Sequence, residues 1–208
     1  MFARNIEKLL DAWKKKPGRK PLIIRGARQV GKTSIVEKFG INEFSTYVYL
    51  NLEKESDQAP FKEMVSISEV INFIEIIKNT KIIPGDTLLF IDEIQASSVA
   101  MAQLRYFFEE LPELHIIAAG SLLEVKMKKE GFSFPVGRVE YGYLNPATFD
   151  EYLGAMGETS SLDFISSYKL GEPLAKELNE VFLRQYLTYN IVGGMPEIVW
   201  KYSQSNSI

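Results

Sequence analysis

Residues 25–33 read Arg25-Gly26-Ala27-Arg28-Gln29-Val30-Gly31-Lys32-Thr33. Two spaced glycines closed by a lysine and a hydroxyl residue satisfy the phosphate-loop pattern Gly-x-x-x-x-Gly-Lys-Ser/Thr, which carries weight only between a strand and a helix. That context is present. Pro21-Leu22-Ile23-Ile24-Arg25 is a short apolar run, and Thr33 to Phe39 has helical spacing. In such a loop, backbone N–H groups and the helix N-terminus surround anionic oxygens, and glycine admits a backbone that side chains obstruct. The cofactor-binding positions are therefore Gly26, Ala27, Arg28, Gln29, Val30, Gly31, Lys32, Thr33 and Ser34, with Gly31 expected to tolerate a side chain least. Lys32 is expected between the β- and γ-phosphates, and the Thr33 hydroxyl on a Mg²⁺ that keeps several waters; a triphosphate, ATP, is the natural ligand.

Further on, Leu88-Leu89-Phe90-Ile91 runs into Asp92-Glu93. A buried strand ending in two carboxylates places them at the sheet edge where open α/β folds keep their ligands. Asp92 can hold Mg²⁺ through water. Glu93, one residue beyond, is the candidate general base that orients and deprotonates attacking water. The plainer reading is a buried strand that ends in acidic residues at the solvent boundary.

Around these motifs, strand and helix patterns alternate. Ile6, Leu9, Leu10 and Trp13 make a helical stripe behind a possible Asn5 cap. Thr46 to Leu52 is rich in β-branched and aromatic residues, and Ser66 and Glu69 form a capping box before a helix. Thr87 to Ile91, His115 to Ala119 and Val139 to Leu144 read as strands, with a helix over Leu104 to Leu111. Asn145-Pro146 reads as a helix start. From about Ser160 only helical patterns continue, through Leu174 to Phe182 and Pro196 to Tyr202. The expected fold class is α/β: a three-layer P-loop NTPase fold with a five-stranded, mainly parallel sheet and a C-terminal helical segment. The expected division is 1–158 as the nucleotide-binding core and 159–208 as a helical lid or the start of a further domain. Trp13, Trp200 and Phe107-Phe108 sit on apolar stripes and read as core.

Composition narrows the chemistry. A formal charge of −3, from 24 Lys plus Arg against 27 Asp plus Glu, provides no overall attraction to nucleic acid or anionic membrane. Zero cysteines exclude disulfides, thiolate zinc sites and cysteine nucleophiles, and the single histidine, His115, excludes sites needing two. The composition fits a soluble, cytoplasmic protein, and no apolar run approaches the ~20 residues of a membrane span. Lys14-Lys15-Lys16 through Lys20 and Lys126-Met127-Lys128-Lys129 fit nucleic-acid or partner contact and solvated loops equally. There is no Asn-Lys-x-Asp base-reading sequence and no arginine-rich lid, which argues against a GTPase and a small-molecule kinase.

Taken with Phe90-Ile91-Asp92-Glu93-Ile94-Gln95, Ala119-Gly120-Ser121-Leu122-Leu123-Glu124, Val136-Gly137-Arg138 and Gly193-Gly194-Met195-Pro196-Glu197, the loop at 25–33 resembles that of AAA-type P-loop ATPases. The likeness is to the prokaryotic group that joins such a domain to a C-terminal domain of unknown function. The resemblance implies that one strand separates the acidic strand from the P-loop strand. It places Ser121 at the tip of that middle strand as a sensor of the γ-phosphate or attacking water, although a serine capping a turn fits the sequence equally. Arg138 lies where an arginine reaches the transferred phosphoryl group in its own subunit or a neighbour, or ends a strand in solvent. Members of the group continue well past the Gly-Gly-x-Pro-Glu segment. The implied function is Mg-dependent ATP hydrolysis that drives conformational change in a partner, a homo-oligomer or the C-terminal domain. Its rivals are a slow nucleotide-gated switch and a DNA-associated ATPase.

Overall fold

The computed structural model describes residues 2–63, 66–121, 137–169 and 171–205. Leu122-Leu123-Glu124, the Lys126–Lys129 run and Val136 lie outside them. The chain divides into two compact units, Ile6–Leu144, and Asn145–Ile208 together with Met1–Asn5.

The first unit runs α1 (Ile6–Lys15), β1 (Leu22–Arg25), α2 (Lys32–Glu43), β2 (Thr46–Asn51), α3 (Glu55–Gln58), α4 (Ile67–Lys78), β3 (Thr87–Asp92), α5 (Ser98–Glu110), β4 (His115–Gly120) and β5 (Glu140–Tyr143). The strands form one sheet in the order β2-β3-β4-β1-β5, and every pairing is parallel. Parallel strands are buried on both faces, which explains why β3 and β4 are continuous apolar runs without polar alternation. Successive side chains still point to opposite faces, so the strands feed two cores. Val48, Leu50, Leu89, Ile91 and Ile116 pack with Val70 and Ile74 of α4 and Leu104 and Phe107 of α5. Leu22, Ile24, Leu88, Phe90 and Ile117 pack with Leu10 and Trp13 of α1 and Ile35, Val36 and Phe39 of α2. The result is the expected three-layer α/β fold. The Ser66–Glu69 box that starts α4 is formed, with the Ser66 N–H donating to Glu69 Oε2 at 3.0 Å and the Glu69 N–H to Ser66 Oγ at 3.3 Å.

The second unit contains α6 (Phe149–Ala155), α7 (Thr159–Ser167), α8 (Lys176–Val192) and α9 (Pro196–Ser205) around Phe2, Ala147, Tyr152, Leu153, Val192 and Val199. Among its described residues there is no strand. Asn145-Pro146 does not begin a helix. α6 begins instead after Thr148, whose N–H donates to Glu151 Oε2 at 3.0 Å. The preceding residues are held non-helical by Ala147: its N–H donates to Gly194 O at 2.6 Å and its carbonyl accepts from Tyr189 OH at 2.8 Å. The expectation for Trp200 also fails, because α9 buries its neighbour Val199 and leaves Trp200 44% exposed. Trp13 and Phe107 are core, as expected.

Candidate functional site

Because the strands are parallel, the ends of β1, β3 and β4 open onto one edge of the sheet. The loop after β1 is anchored at both ends. At Gly26 an added Cβ would lie 2.1 Å from the Leu144 carbonyl oxygen, and the Leu144 N–H donates to Arg25 O at 2.8 Å. Backbone therefore excludes every side chain at position 26. At the other end Gly31, at φ 92°, is the N-cap of α2 in the left-handed region. A side chain at Gly31 would be strained by that backbone whatever the space around it, so the loop demands glycine at both ends, for two different reasons. Between them Val30 is buried, whereas Arg28 and Gln29 are exposed, Gln29 in the left-handed region at φ 63°.

Among the described residues no side chain caps α2, and its first turn holds no acidic residue. The N–H groups of a helix's first turn have no intrahelical partner and carry its positive dipole end, so this terminus suits an anion. Lys32 is buried and donates from Nζ to Gly26 O at 2.9 Å and Ala27 O at 2.6 Å. Burial holds its ammonium below the usual lysine range, with the Glu93 and Asp92 charges opposing. The cation thus sits in the curl of the loop.

Thr33 reaches from α2 to β3, its hydroxyl donating to Asp92 Oδ2 at 2.7 Å. The same oxygen accepts from Tyr49 OH at 3.3 Å, and Asp92 Oδ1 accepts the Glu93 N–H at 3.0 Å. Burial raises the Asp92 carboxyl above the ordinary carboxylate range, while the Thr33 hydroxyl and the Glu93 N–H pull it back. The Tyr49 phenol is pushed up to about 12 by burial and by the Asp92 charge, so it is a donor at neutral pH. A hydroxyl and a carboxylate are hard oxygen donors of the kind Mg²⁺ takes. Among the described residues no three Asp, Glu or His side chains gather as a metal cage. A cation at Thr33 and Asp92 would draw its remaining ligands from phosphate and water, the usual habit of Mg²⁺.

Glu93 has a left-handed backbone, φ 52° and ψ 41°, at the turn into the short 3-10 helix Ile94–Ala96. Its Oε2 accepts from the Nε2 of Gln95, a buried side chain in that turn. Across β4, which separates β3 from β1 in the sheet, Ser121 follows the strand end. Its Oγ is buried and has no hydrogen-bond partner among the described residues. Leaving such a group unmatched costs ~1–3 kcal/mol, which is a reason to look for a ligand there.

Lys32, Thr33, Asp92, Glu93 and Ser121 therefore share one edge. Arg138 does not. It precedes β5, whose Glu140 pairs with Leu22 at the start of β1, whereas the P-loop follows Arg25 at the other end. At ~3.3 Å per residue this separates Arg138 from the loop by roughly 20 Å along the strands. Its Nε donates to Glu109 Oε1 at 2.8 Å, an oxygen shared with Arg105 Nε at 3.1 Å. Of the two origins the sequence leaves open for an arginine at the phosphate, its own subunit and a neighbour, this position speaks against the first for Arg138.

Sequence reading missed Tyr49 and Gln95. The alternation Tyr47, Tyr49, Asn51 points to one face of β2, but only the observed pairing of β2 with β3 brings Tyr49 to Asp92. Gln95 stands two residues after Glu93, and its role emerges only with the 3-10 turn.

A family model described as an AAA domain matches residues 18–153. No curated protein matches the sequence. The chain is similar to a solved structure of the ORC2 protein of Aeropyrum pernix in ADPNP and ADP complexes, with 13% identity and a TM-score of 0.47 over 77% of this chain and 52% of that one. It thus spans about half the length of that structure. No described helix is long and apolar enough to cross a membrane. With the family model covering well over half the chain, the protein belongs to the AAA domain family of P-loop ATPases.

Proposed function

We propose that the chain binds ATP with Mg²⁺ at Gly26–Ser34, Asp92 and Ser121 and hydrolyses it, driving a conformational change in a partner protein or a following domain. The observation that carries this reading is the 2.7 Å contact between Thr33 Oγ1 and Asp92 Oδ2, which joins the phosphate loop to the acidic strand. A scaffold has no need of that junction. Thr33 and, through water, Asp92 would hold the Mg²⁺, which would supply neutralisation of the charge that develops on the transferred phosphoryl group. Lys32 exchanges the carbonyls of Gly26 and Ala27 for phosphate oxygens, and the N–H groups of Gly31 to Ser34 cradle the β-phosphate. Glu93 orients the attacking water and takes its proton, while the Ser121 hydroxyl finds its acceptor on the γ-phosphate or that water. Arg138, placed on the opposite edge, acts on the site of a neighbouring copy in a homo-oligomer. Helices within 159–208 form the lid that moves. The cysteine-free composition supports a cytoplasmic setting.

A second reading, a slow switch that signals while ATP is bound, draws support from the absence of Arg138 from its own site. Turnover measured across protein concentration tests both. Hydrolysis that rises per chain with concentration, and is lost in Lys32→Ala, is expected. Wild-type affinity for ATP in Lys32→Ala overturns the binding site. A rate indistinguishable from buffer at every concentration leaves only the switch, which then has to assemble or change shape with a non-hydrolysable analogue in sedimentation.

A further inference from the structure

Strand β2 presents Tyr47, Tyr49 and Asn51 to the face that α2 covers, and in register Tyr49 lies opposite Phe90 and Asn51 opposite Asp92. Tyr49 is therefore diagonal to Asp92, within reach of a long side chain. Its ring leans on Phe90 with centroids 5.5 Å apart and stacks on Tyr47 at 6.5 Å. Tyr47 in turn fills a notch in α2 that only glycine leaves open: a Cβ at Gly40 would lie 2.3 Å from Tyr47 Cδ2. Phe90, Tyr47 and Gly40 thus hold the phenol in place from two sides. Its hydroxyl ends at Asp92 Oδ2, 3.3 Å away, on the oxygen that also accepts the Thr33 hydroxyl at 2.7 Å.

We infer that Tyr49 is a positioning residue of the metal site: with Thr33 on the same oxygen and the Glu93 N–H on the other, its hydroxyl fixes the rotation of the Asp92 carboxylate. A carboxylate that meets a cation through water has to present its remaining lone pairs in a set direction, because the bound water has little freedom of its own. Two donors on Oδ2 and one on Oδ1 define that direction. Without Tyr49, Oδ2 keeps the Thr33 hydroxyl as its one donor, and that hydroxyl is also the group offered to the cation. This inference rests on the Mg–nucleotide reading above.

The test is Tyr49→Phe, which keeps the packed ring and removes only the hydroxyl. Binding of a fluorescent N-methylanthraniloyl-ATP is titrated with Mg²⁺ and, separately, measured in EDTA. The variant is expected to need roughly tenfold to a hundredfold more Mg²⁺ at the midpoint, the size of one lost hydrogen bond to a charged group that orients a metal's partner. Affinity in EDTA and thermal stability are expected to match wild type. In an Asp92→Asn background the same change is expected to leave the Mg²⁺ midpoint where it was, because the carboxylate it acts through is gone. An unaltered midpoint in Tyr49→Phe, an equal loss in EDTA, or the full shift persisting beside Asp92→Asn overturns the inference while the nucleotide site stands. If wild type does not bind the analogue with Mg²⁺, or Lys32→Ala binds it equally well, the nucleotide reading falls and takes the inference with it.

Discussion

Arg138 donates to Glu109 at 2.8 Å on the edge of the sheet away from the P-loop, and the same carboxylate oxygen holds Arg105. The two guanidinium groups hold the Glu109 carboxyl below its usual range. Any catalytic task for Arg138 therefore belongs to another copy of the chain. Arg138→Ala is expected to bind ATP like wild type and to lose turnover at all concentrations. Mixing it with Glu93→Gln, itself inactive, is expected to restore hydrolysis, because mixed assemblies contain sites with both groups intact. Steady-state phosphate release from the mixture is the measurement. Wild-type turnover in Arg138→Ala alone refutes the assignment.

Glu93 and Gln95 offer a second test. Removing the base by Glu93→Gln is expected to lower the hydrolytic rate by roughly 10²-fold or more with binding intact. Gln95→Leu keeps the bulk of a buried side chain but removes the donor to Glu93 Oε2. It is expected to slow hydrolysis by about tenfold, and to have no further effect beside Glu93→Gln. Single-turnover assays of the four proteins give the coupling. If the two effects multiply, Gln95 acts through something other than Glu93.

His115 makes stability depend on pH. It is buried against Trp13 and Phe44, with ring centroids 5.7 and 4.7 Å away, and Arg19 Nη2 lies 3.1 Å from its Nδ1. Burial and the Arg19 charge push its pKa down to about 4. Between the unfolded value near 6.5 and this one, the unfolded chain binds the extra proton, so stability is lost as pH falls through that window. The full loss is about 3 kcal/mol. The carboxylates that folding holds low, such as Asp57 and Glu75, weaken the fold in the same direction, but below about pH 5. Urea melts of wild type and a His115 variant compared between pH 6.5 and 5 therefore separate the histidine from the carboxylates, including Asp92, whose raised carboxyl acts in the opposite direction. His115→Phe is expected to flatten that part of the profile, and an unchanged slope rules the assignment out.

Much of this is legible in the amino-acid sequence alone. The P-loop, the Asp92-Glu93 pair and the five strands follow from local pattern, because a buried parallel strand and a glycine-lysine turn are each written within a few residues. Strand adjacency is not local. Tyr49 became part of the site only through the pairing of β2 with β3. The direction of β5 decided Arg138: a residue before a parallel strand lies at the edge opposite its loop. Asn145-Pro146 misled because a good cap and a favoured proline are outweighed by the bonds that Ala147 makes to Gly194 and Tyr189. Trp200 misled because helical spacing names a stripe without saying whether the chain covers it.

The carbonyl of Leu144 over Gly26 separates two pressures that act on one motif. A screen scoring only soluble expression would tolerate some lysine substitutes at position 32, yet would return glycine at 26 from every library, with no nucleotide in the medium. Half of what looks like a fingerprint of phosphate chemistry is thus an imprint of how the last sheet strand ends. Grafting the nine-residue loop 25–33 onto another sheet would import its lysine but not the reason for its first glycine.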